Sequence, residues 1–401
     1  MRKSLFVIAL FGAVCLLSCK KDDDEKDHIT VNVGGLLSLT GNWSTLGLAS
    51  QEAMNLAIRE VNSQMEQTGS RYRFATTIYD TKLDTTLAKT FLAEALRNNI
   101  QYVVGPQSSA ELQSIQSIIN ANKILVVSQG STAGSLAIPG DAIFRFCPGD
   151  SLEGGAMAET IFETGRRSLI TLARGGAGNI GLQQAVGATF TRLGGVVDAM
   201  VPYDFNTTDF SALLATLKSK IQQQSTQVGA DKVGVYLASF DEAKDLFRQA
   251  AADPVFSSVQ WYGGDGVVLS SILLSDATAA SFAAATHFFA PTFGLPPQPH
   301  PQLATVSAAI KNKTGLEPDA YALAAYDAVW VIARSVAAFP EPTKDLEKIK
   351  QVFQSTAGQF YGITGPLFLN IAGDRSTGSF DYWGIVSQNG TYTWKLVGKS
   401  K

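Results

Sequence analysis

The chain reads as an α/β protein built from two similar halves, on three observations. Short apolar runs of strand length alternate with amphipathic helical patterns along most of the chain. Those runs end in glycine- or hydroxyl-rich turns just before the next helical pattern. The pattern then repeats: Tyr79-Asp80 with Asp84 in the first half matches Tyr203-Asp204 with Asp209 in the second. Alternation at this pace implies parallel sheets with right-handed crossovers, and two facing halves make a bilobed protein. With 401 residues the chain exceeds one typical domain of roughly 100–200, and 45% hydrophobic against 17% charged residues suits a globular body.

At the start, Met1-Arg2-Lys3 is a short positive region and Leu5 to Leu17 an apolar core. That core is shorter than the ~20 residues a membrane-spanning helix needs, so it reads as a secretory signal over residues 1–18. Leu16-Leu17-Ser18-Cys19 resembles the lipobox of bacterial lipoproteins, in which the cysteine is acylated and becomes the mature N-terminus. The plainer alternative is a cleaved signal with an incidental cysteine. Under the lipobox reading Cys15 leaves with the signal, Cys19 carries lipid, and Cys147 has no partner for a disulfide. Residues 19–28 form a charged, solvated tether, KKDDDEKD at its centre. A lysine followed by acids also resembles the export tag of some surface lipoproteins.

Ile29 to Gly35 is the first expected strand, and Leu36 to Gly41 a turn. Gly47 to Asn62 follows as a helix buried along Met54, Ala57, Ile58 and Val61. Phe74 to Tyr79 is the second strand and Leu87 to Leu96 the next helix. The stretch from Val103 to Leu136 then organises the first half. Tyr102-Val103-Val104 is a strand stopped by Gly105-Pro106; Ser108 and Ser109 open a helix with Leu112, Ile115, Ile118 and Ile119 on one face. Ile124 to Val127 is a further strand, ending at Ser128-Gln129-Gly130-Ser131-Thr132 before another expected helix start.

Two hydroxyl-rich turns thus fall at the carboxyl ends of successive parallel strands, each expected at a helix N-terminus. Free N–H groups and the helix dipole suit an anion there, and open α/β sheets bind ligands at this edge. Capping alone would also account for Ser109 and Thr132. In the second half Leu169 to Ala173 is a strand, Gly175 to Gly181 a glycine-rich turn, Leu182 to Leu193 a helix and Val196 to Val201 a strand.

Composition and motifs narrow the chemistry. Net charge is -3, about two units more negative without Arg2 and Lys3, and no basic stripe points to nucleic acid. His28, His287 and His300 are the only histidines and lack metal-ligand spacing. No GxSxG elbow is present. Asp80 with Asp84, or Asp204 with Asp209, could be paired carboxylates, but at strand ends such residues more often make turns and caps. Gly294 to Pro301, GLPPQPHP, reads as a rigid surface loop.

Ordered pieces of the chain resemble type I periplasmic solute-binding proteins of the leucine/isoleucine/valine-binding class. They are LLSLTGNWSTLG with LAIREVN, IYDTKLDTTLA, VVGPQSSAE, SQGSTAGSL, YDFNTTDFSALL, WYGGDG, AYALAAYDAVW and ITGPLFLNIAGDR, and they cover nearly the whole chain beyond the tether. The resemblance implies two doubly wound parallel-sheet lobes joined by three crossover hinges, with the ligand in the cleft between them. Lobe one is expected over 29–146 and 290–378, lobe two over 147–289 and 379–401. The hinges fall at Phe146-Cys147-Pro148, Ala290-Pro291-Thr292 and Gly378 to Tyr382.

The resemblance also implies roles. A serine after the VVGP-type turn holds an amino acid's α-carboxylate, which is Ser109 here with Ser108 one step off. The SQGST turn supplies a backbone carbonyl to the ammonium and a threonine to both ends, here Ser131 and Thr132. An acid in a GPEG-like loop pairs the ammonium. In Gly263-Gly264-Asp265-Gly266 that is Asp265, which alone would read as a turn residue. At the specificity end this chain departs from the family. Ile180, beside Asn179, stands where an aromatic is frequent, Ala238-Ser239-Phe240 ends the fourth strand of lobe two, and Leu46 replaces a tryptophan with Trp43 nearby. The implied protein is not an enzyme and carries no cofactor. It is a lipid-anchored extracytoplasmic receptor for a small amino-acid-like ligand, serving an ABC permease or a sensor. The reading from another class is an exported nucleotide-dependent enzyme. Gly176 to Gly181 fits GxGxxG, with Asp198 and Asp204 about 20 residues onward as ribose-binding acids.

Overall fold

In the computed structural model the described residues are 28–401; the signal 1–18, Cys19 and the tether as far as Asp27 lie outside them. One sheet is built from β1 (Ile29–Leu37), β2 (Tyr72–Asp80), β3 (Tyr102–Val104), β4 (Leu125–Ser128) and β5 (Ile143–Pro148). A second takes β6 (Ser168–Ala173), β7 (Val196–Ala199), β8 (Val233–Ala238), β9 (Gln260–Gly263) and β10 (Phe289–Phe293). The chain then returns through a small ribbon of β11 (Tyr361–Gly362) and β12 (Gly365–Pro366) to add β13 (Asp374–Arg375) to the first sheet. It crosses back to finish the second with β14 (Phe380–Gln388) and β15 (Thr391–Lys399). Three crossings therefore join two α/β lobes.

Strand order is β13-β5-β4-β3-β1-β2 in the first sheet and β15-β14-β10-β9-β8-β6-β7 in the second. The first five strands of each sheet follow one plan, so the repeat read in the sequence is a repeat of topology. Each order reverses at one point, between β1 and β3 and between β6 and β8, where open α/β sheets form a ligand crevice. The helices used below are α1 (Ser44–Gln67), α2 (Thr85–Arg97), α3 (Ser109–Ala121), α4 (Asp150–Glu163) and α5 (Ala177–Arg192).

Local chemistry explains the strand ends. Asp80 accepts the Leu39 and Thr40 N–H groups at 2.9 and 3.2 Å and the Thr40 hydroxyl at 2.7 Å, holding the turn after β1. Asp84 caps α2 through the Thr86 and Leu87 N–H groups. Asp204 and Asp209 accept the N–H groups of Asn206 and Ser211. These acids are engaged in turns and caps rather than paired with one another.

Several expectations need correction. No α-helix follows the Ser128–Thr132 turn; the chain makes only a single 3₁₀ turn, Gly134–Leu136, before β5. Pro139 and Gly140 interrupt that stretch, so only the α3 turn offers a helix N-terminus. Within 175–181 the run Ala177 to Gly181 is helical, because α5 begins at Ala177 instead of Leu182. Cys147 and Pro148 belong to β5 of the first sheet, and residues 290–293 pair within the second, where β10 bonds β9 and β14. The last two strands form an antiparallel hairpin on Asn389-Gly390, both at positive φ as a two-residue hairpin turn requires.

Candidate ligand cleft between the lobes

The carboxyl ends of the two sheets face each other across a narrow cavity. Its wall includes Trp43, Ser108, Ser109 and Thr132 from the first lobe and Arg174, Gly178, Asn179, Phe240 and Asp265 from the second. The free space between these walls is about 20 Å³, room for about one water molecule. The lobes stand closed, and anything as large as an amino acid requires them to part.

Ser109 ties the two hydroxyl turns together. Its Oγ accepts the N–H groups of Thr132 and Ala133, each at 3.1 Å, and the Ser131 hydroxyl at 3.1 Å. Those three donors share its two lone pairs and leave its own proton to donate. Ser108, one residue earlier, is the N-cap of α3 in a reciprocal capping box with Glu111, its Oγ 2.6 Å from Glu111 Oε2. Burial pushes the Glu111 carboxyl up to about 7. Ser108 borders the cavity, but its hydroxyl serves the helix.

Ser131 is fully buried and lies off the wall, its carbonyl turned to Arg145 Nη1 and Cys147 Sγ, each at 3.4 Å. Arg145 also donates to the Ala133 carbonyl at 2.6 Å and forks onto Asp374 at 2.5 and 2.6 Å. This buried pair braces the Ser131–Ala133 turn from behind.

Asp265 follows β9 and is 6% exposed. Tyr321, on the helix Ala320–Ala337 of the other lobe, donates its hydroxyl to Asp265 Oδ2 at 2.7 Å. Two further acids crowd it from α4. Glu153 Oε1 accepts the Asp265 N–H at 3.2 Å, while Glu153 Oε2 and both Asp150 carboxylate oxygens are buried without a hydrogen-bond partner among the described residues. Burial pushes Asp265 up to about 6, Asp150 to about 7 and Glu153 well above the usual carboxylate range. Asp265 on the cavity wall, with Asp150 and Glu153 buried beside it, makes a locally acidic corner of the cleft. Among the described residues, no group of three His, Cys, Asp or Glu side chains has a geometry that could hold a metal ion.

Trp43 closes the mouth. It adopts a left-handed backbone, φ 59°, unusual for a bulky residue, and two bonds hold it there. Its N–H donates to Asp241 Oδ2 of lobe two at 2.6 Å, and its carbonyl accepts from Gln107 Nε2 at 2.9 Å. Its ring lies 4.7 Å from that of Phe240. Thr45 and Ser271 add another inter-lobe bond, at 3.0 Å.

Some residues expected on the wall stand elsewhere. Leu46 is buried in the hydrophobic core and Ser239 is buried, and neither lines the cavity. Ile180 is half-buried off the wall; with α5 starting at Ala177, the helical turn presents Gly178 and Asn179 instead. A Cβ at Gly178 would lie 3.1 Å from Ser109 Oγ, so α5 closes directly over the hydroxyls. Arg174 escaped the sequence reading. Its signal was its place at the end of the LITLA strand, level with the other strand-end site residues.

The chain is similar to known proteins over most of its length. An uncharacterized protein of Methanocaldococcus jannaschii is 26% identical over 412 residues, covering 97% of this chain and 95% of its own. Leu/Ile/Val-binding protein homolog 1 of Brucella abortus is 26% identical, covering 93% and 94%. The branched-chain amino acid transporter substrate binding protein LivJ of Streptococcus pneumoniae, solved in complex with isoleucine, superposes with a TM-score of 0.75 at 18% identity, covering 93% and 99%. The fold is therefore that of the type I periplasmic binding proteins. Residues 49–388 match the family described as the receptor family ligand binding region, and to that family this chain belongs.

Proposed function

We propose that the protein is an extracytoplasmic solute-binding receptor that captures an α-amino acid or a close derivative by closure of its two lobes. One observation carries this reading: the Ser109 hydroxyl and the α3 N-terminus of lobe one share a cavity with Asp265 of lobe two, beside which Asp150 and Glu153 are buried. The first pair suits a carboxylate and the second an ammonium. A ligand touching both lobes stabilises the closed state by its differential contacts there. The names of the Brucella and Streptococcus relatives, a Leu/Ile/Val-binding protein homolog and a branched-chain amino acid transporter substrate binding protein, support an amino-acid ligand and delivery to a transporter, which we take to be an ABC permease; sensing by a membrane receptor would use the same closure.

The test is a thermal-shift screen of amino acids beside nucleotides and sugars, since a ligand that binds the folded state raises the melting temperature. Amino acids are expected to register. A screen in which only nucleotides or sugars do so would overturn the proposal. The nucleotide reading has lost two supports. Asp198, its first ribose-binding candidate, is paired with Lys220 at 2.7 and 2.8 Å, and Gly178 faces Ser109 rather than open space.

The two neighbouring serines should separate in a mutational test. Ser109→Ala removes a hydroxyl bond to a charged carboxylate, worth about 1.5–3 kcal/mol, while backbone donors remain. Calorimetry on the ligand the screen returns should show about a tenfold to hundredfold loss. Ser108→Ala removes the α3 cap and should cost about 1 kcal/mol of stability with affinity nearly unchanged. The reverse order of effects would reassign the two roles.

Export and anchoring rest on Leu16 to Cys19. Cys19→Ala is expected to abolish acylation and leave the protein unprocessed or released. Ordinary membrane fractionation and lipid labelling of that variant would remove the anchor from the proposal. Among the described residues no helix is long and apolar enough to cross a membrane.

A further inference from the structure

Arg174 has no part in an α-amino-acid clamp, yet it stands on the cavity wall and is 6% exposed. It follows β6, and its N–H donates to the Ala238 carbonyl at the end of β8, which places it at the second sheet's reversal point. No described protein group accepts a hydrogen bond from its guanidinium. Nε is buried without a partner, its nearest acidic oxygen being Glu242 Oε1 at 3.6 Å. Glu242 Oε1 is already engaged, accepting the Tyr203 hydroxyl at 2.8 Å and the Phe240 N–H at 3.1 Å. Glu242 Oε2 is buried without a partner, so Glu242 balances the charge of Arg174 at 3.6 Å without a hydrogen bond to it. Phe240 and Phe205 flank the guanidinium carbon, with ring centroids at 5.2 and 5.6 Å, and restrain it further.

Sheet topology sets the spacing of the two charged ends. Asp265 follows β9, Phe240 follows β8 and Arg174 follows β6, three neighbouring strands. At about 4.8 Å per strand, Asp265 and Arg174 leave the sheet roughly 10 Å apart, with Phe240 between them. A guanidinium on the cavity wall without a hydrogen-bond acceptor, two strands from an ammonium site, matches a second carboxylate, because a guanidinium recognises carboxylates through two parallel bonds. A purely aliphatic side chain would leave the guanidinium without an acceptor.

We infer that Arg174 is a specificity-determining residue and that the ligand is a dicarboxylic α-amino acid, with its side-chain carboxylate on Arg174. This rests on the amino-acid reading above and narrows it. Binding of L-glutamate, L-aspartate and the aliphatic L-norvaline to the purified protein tests it by titration calorimetry. Wild type should bind one of the two acids at least tenfold more tightly than norvaline. Arg174→Met should weaken that acid by about 10–100-fold and norvaline by less than threefold. Arg174→Lys, which keeps the charge and loses the fork, should fall between. An equal loss for acid and norvaline would place the α-carboxylate on Arg174 and overturn the inference, as would tighter wild-type binding of norvaline. Should Arg174→Met fail to fold in a thermal melt, the wild-type preference decides alone. No binding of any amino acid, with nucleotides or sugars binding instead, would remove the proposed function itself.

Discussion

Replacing Asp265 by asparagine is expected to weaken an α-amino-acid ligand by about 10²–10³-fold without lowering the melting temperature of the unliganded protein. An ammonium buried by closure loses its water and takes a fixed carboxylate as counter-charge. Removing one member of a buried pair costs about 3–5 kcal/mol, at ~1.4 kcal/mol per decade of affinity. Asparagine keeps an oxygen for the Tyr321 hydroxyl, so the inter-lobe bond at 2.7 Å survives. The same change removes one of three crowded acids and so relieves repulsion in the unliganded state. Lost affinity with unchanged or raised stability marks a residue kept for binding. Calorimetry and thermal melts read both, and wild-type affinity in the variant would end the ammonium assignment.

The dependence on pH follows from the same groups. Asp265 is faced by Asp150 and Glu153 from α4, Tyr236 from β8, Asp319 and Tyr321 at the helix of the other lobe, and Cys147 on β5. Burial raises Asp265 to about 6 and Asp150 to about 7. From ordinary carboxylate values up to these, the folded chain holds protons that the unfolded chain has released. The unliganded protein therefore loses stability as pH rises through that window. A cationic group binds the ionised form, so wild-type affinity should rise from about pH 5 to about pH 8, and less steeply in Asp265→Asn.

The two-lobed α/β plan was legible because strand and helix periods alternate so regularly, and the ordered motifs placed Ser109, Thr132 and Asp265 in one cleft. What escaped depended on contacts distant in sequence. The burial of Asp150 and Glu153 against Asp265 follows from α4 packing beneath a loop more than 100 residues away. Arg174 carried no motif, and only the strand order brings it level with Asp265. The start of α5 differs from the expectation because glycines in 175–181 suggest a turn, whereas packing holds the run from Ala177 in a helix. The Asn389-Gly390 hairpin is instead a local feature, an Asn-Gly pair between two nine-residue strands.

Asp374→Ala is expected to be the most destabilising single change near the cleft. Asp374 lies in the ITGPLFLNIAGDR motif, where nothing in the sequence names its partner. The structure gives it to Arg145, whose side chain is 2% exposed and forked onto Asp374 at 2.5 and 2.6 Å. Truncating the acid strands a guanidinium in the core, at a cost of about 3–5 kcal/mol. At roughly 2–4 °C per kcal/mol for units of lobe size, the melting temperature should fall on the order of 10 °C. The same guanidinium donates to the Ala133 and Ser131 carbonyls, so its displacement loosens the turn whose N–H groups meet Ser109. Ligand affinity should therefore drop as well, although Asp374 itself does not line the cavity. Replacing both partners by apolar residues, Arg145→Met with Asp374→Leu, leaves no charge uncompensated and should restore most of the stability without the bracing. Melting of Asp374→Ala within about 2 °C of wild type would show that the pair does not hold the turn. Full affinity in the apolar double variant would show that the turn keeps its shape without Arg145.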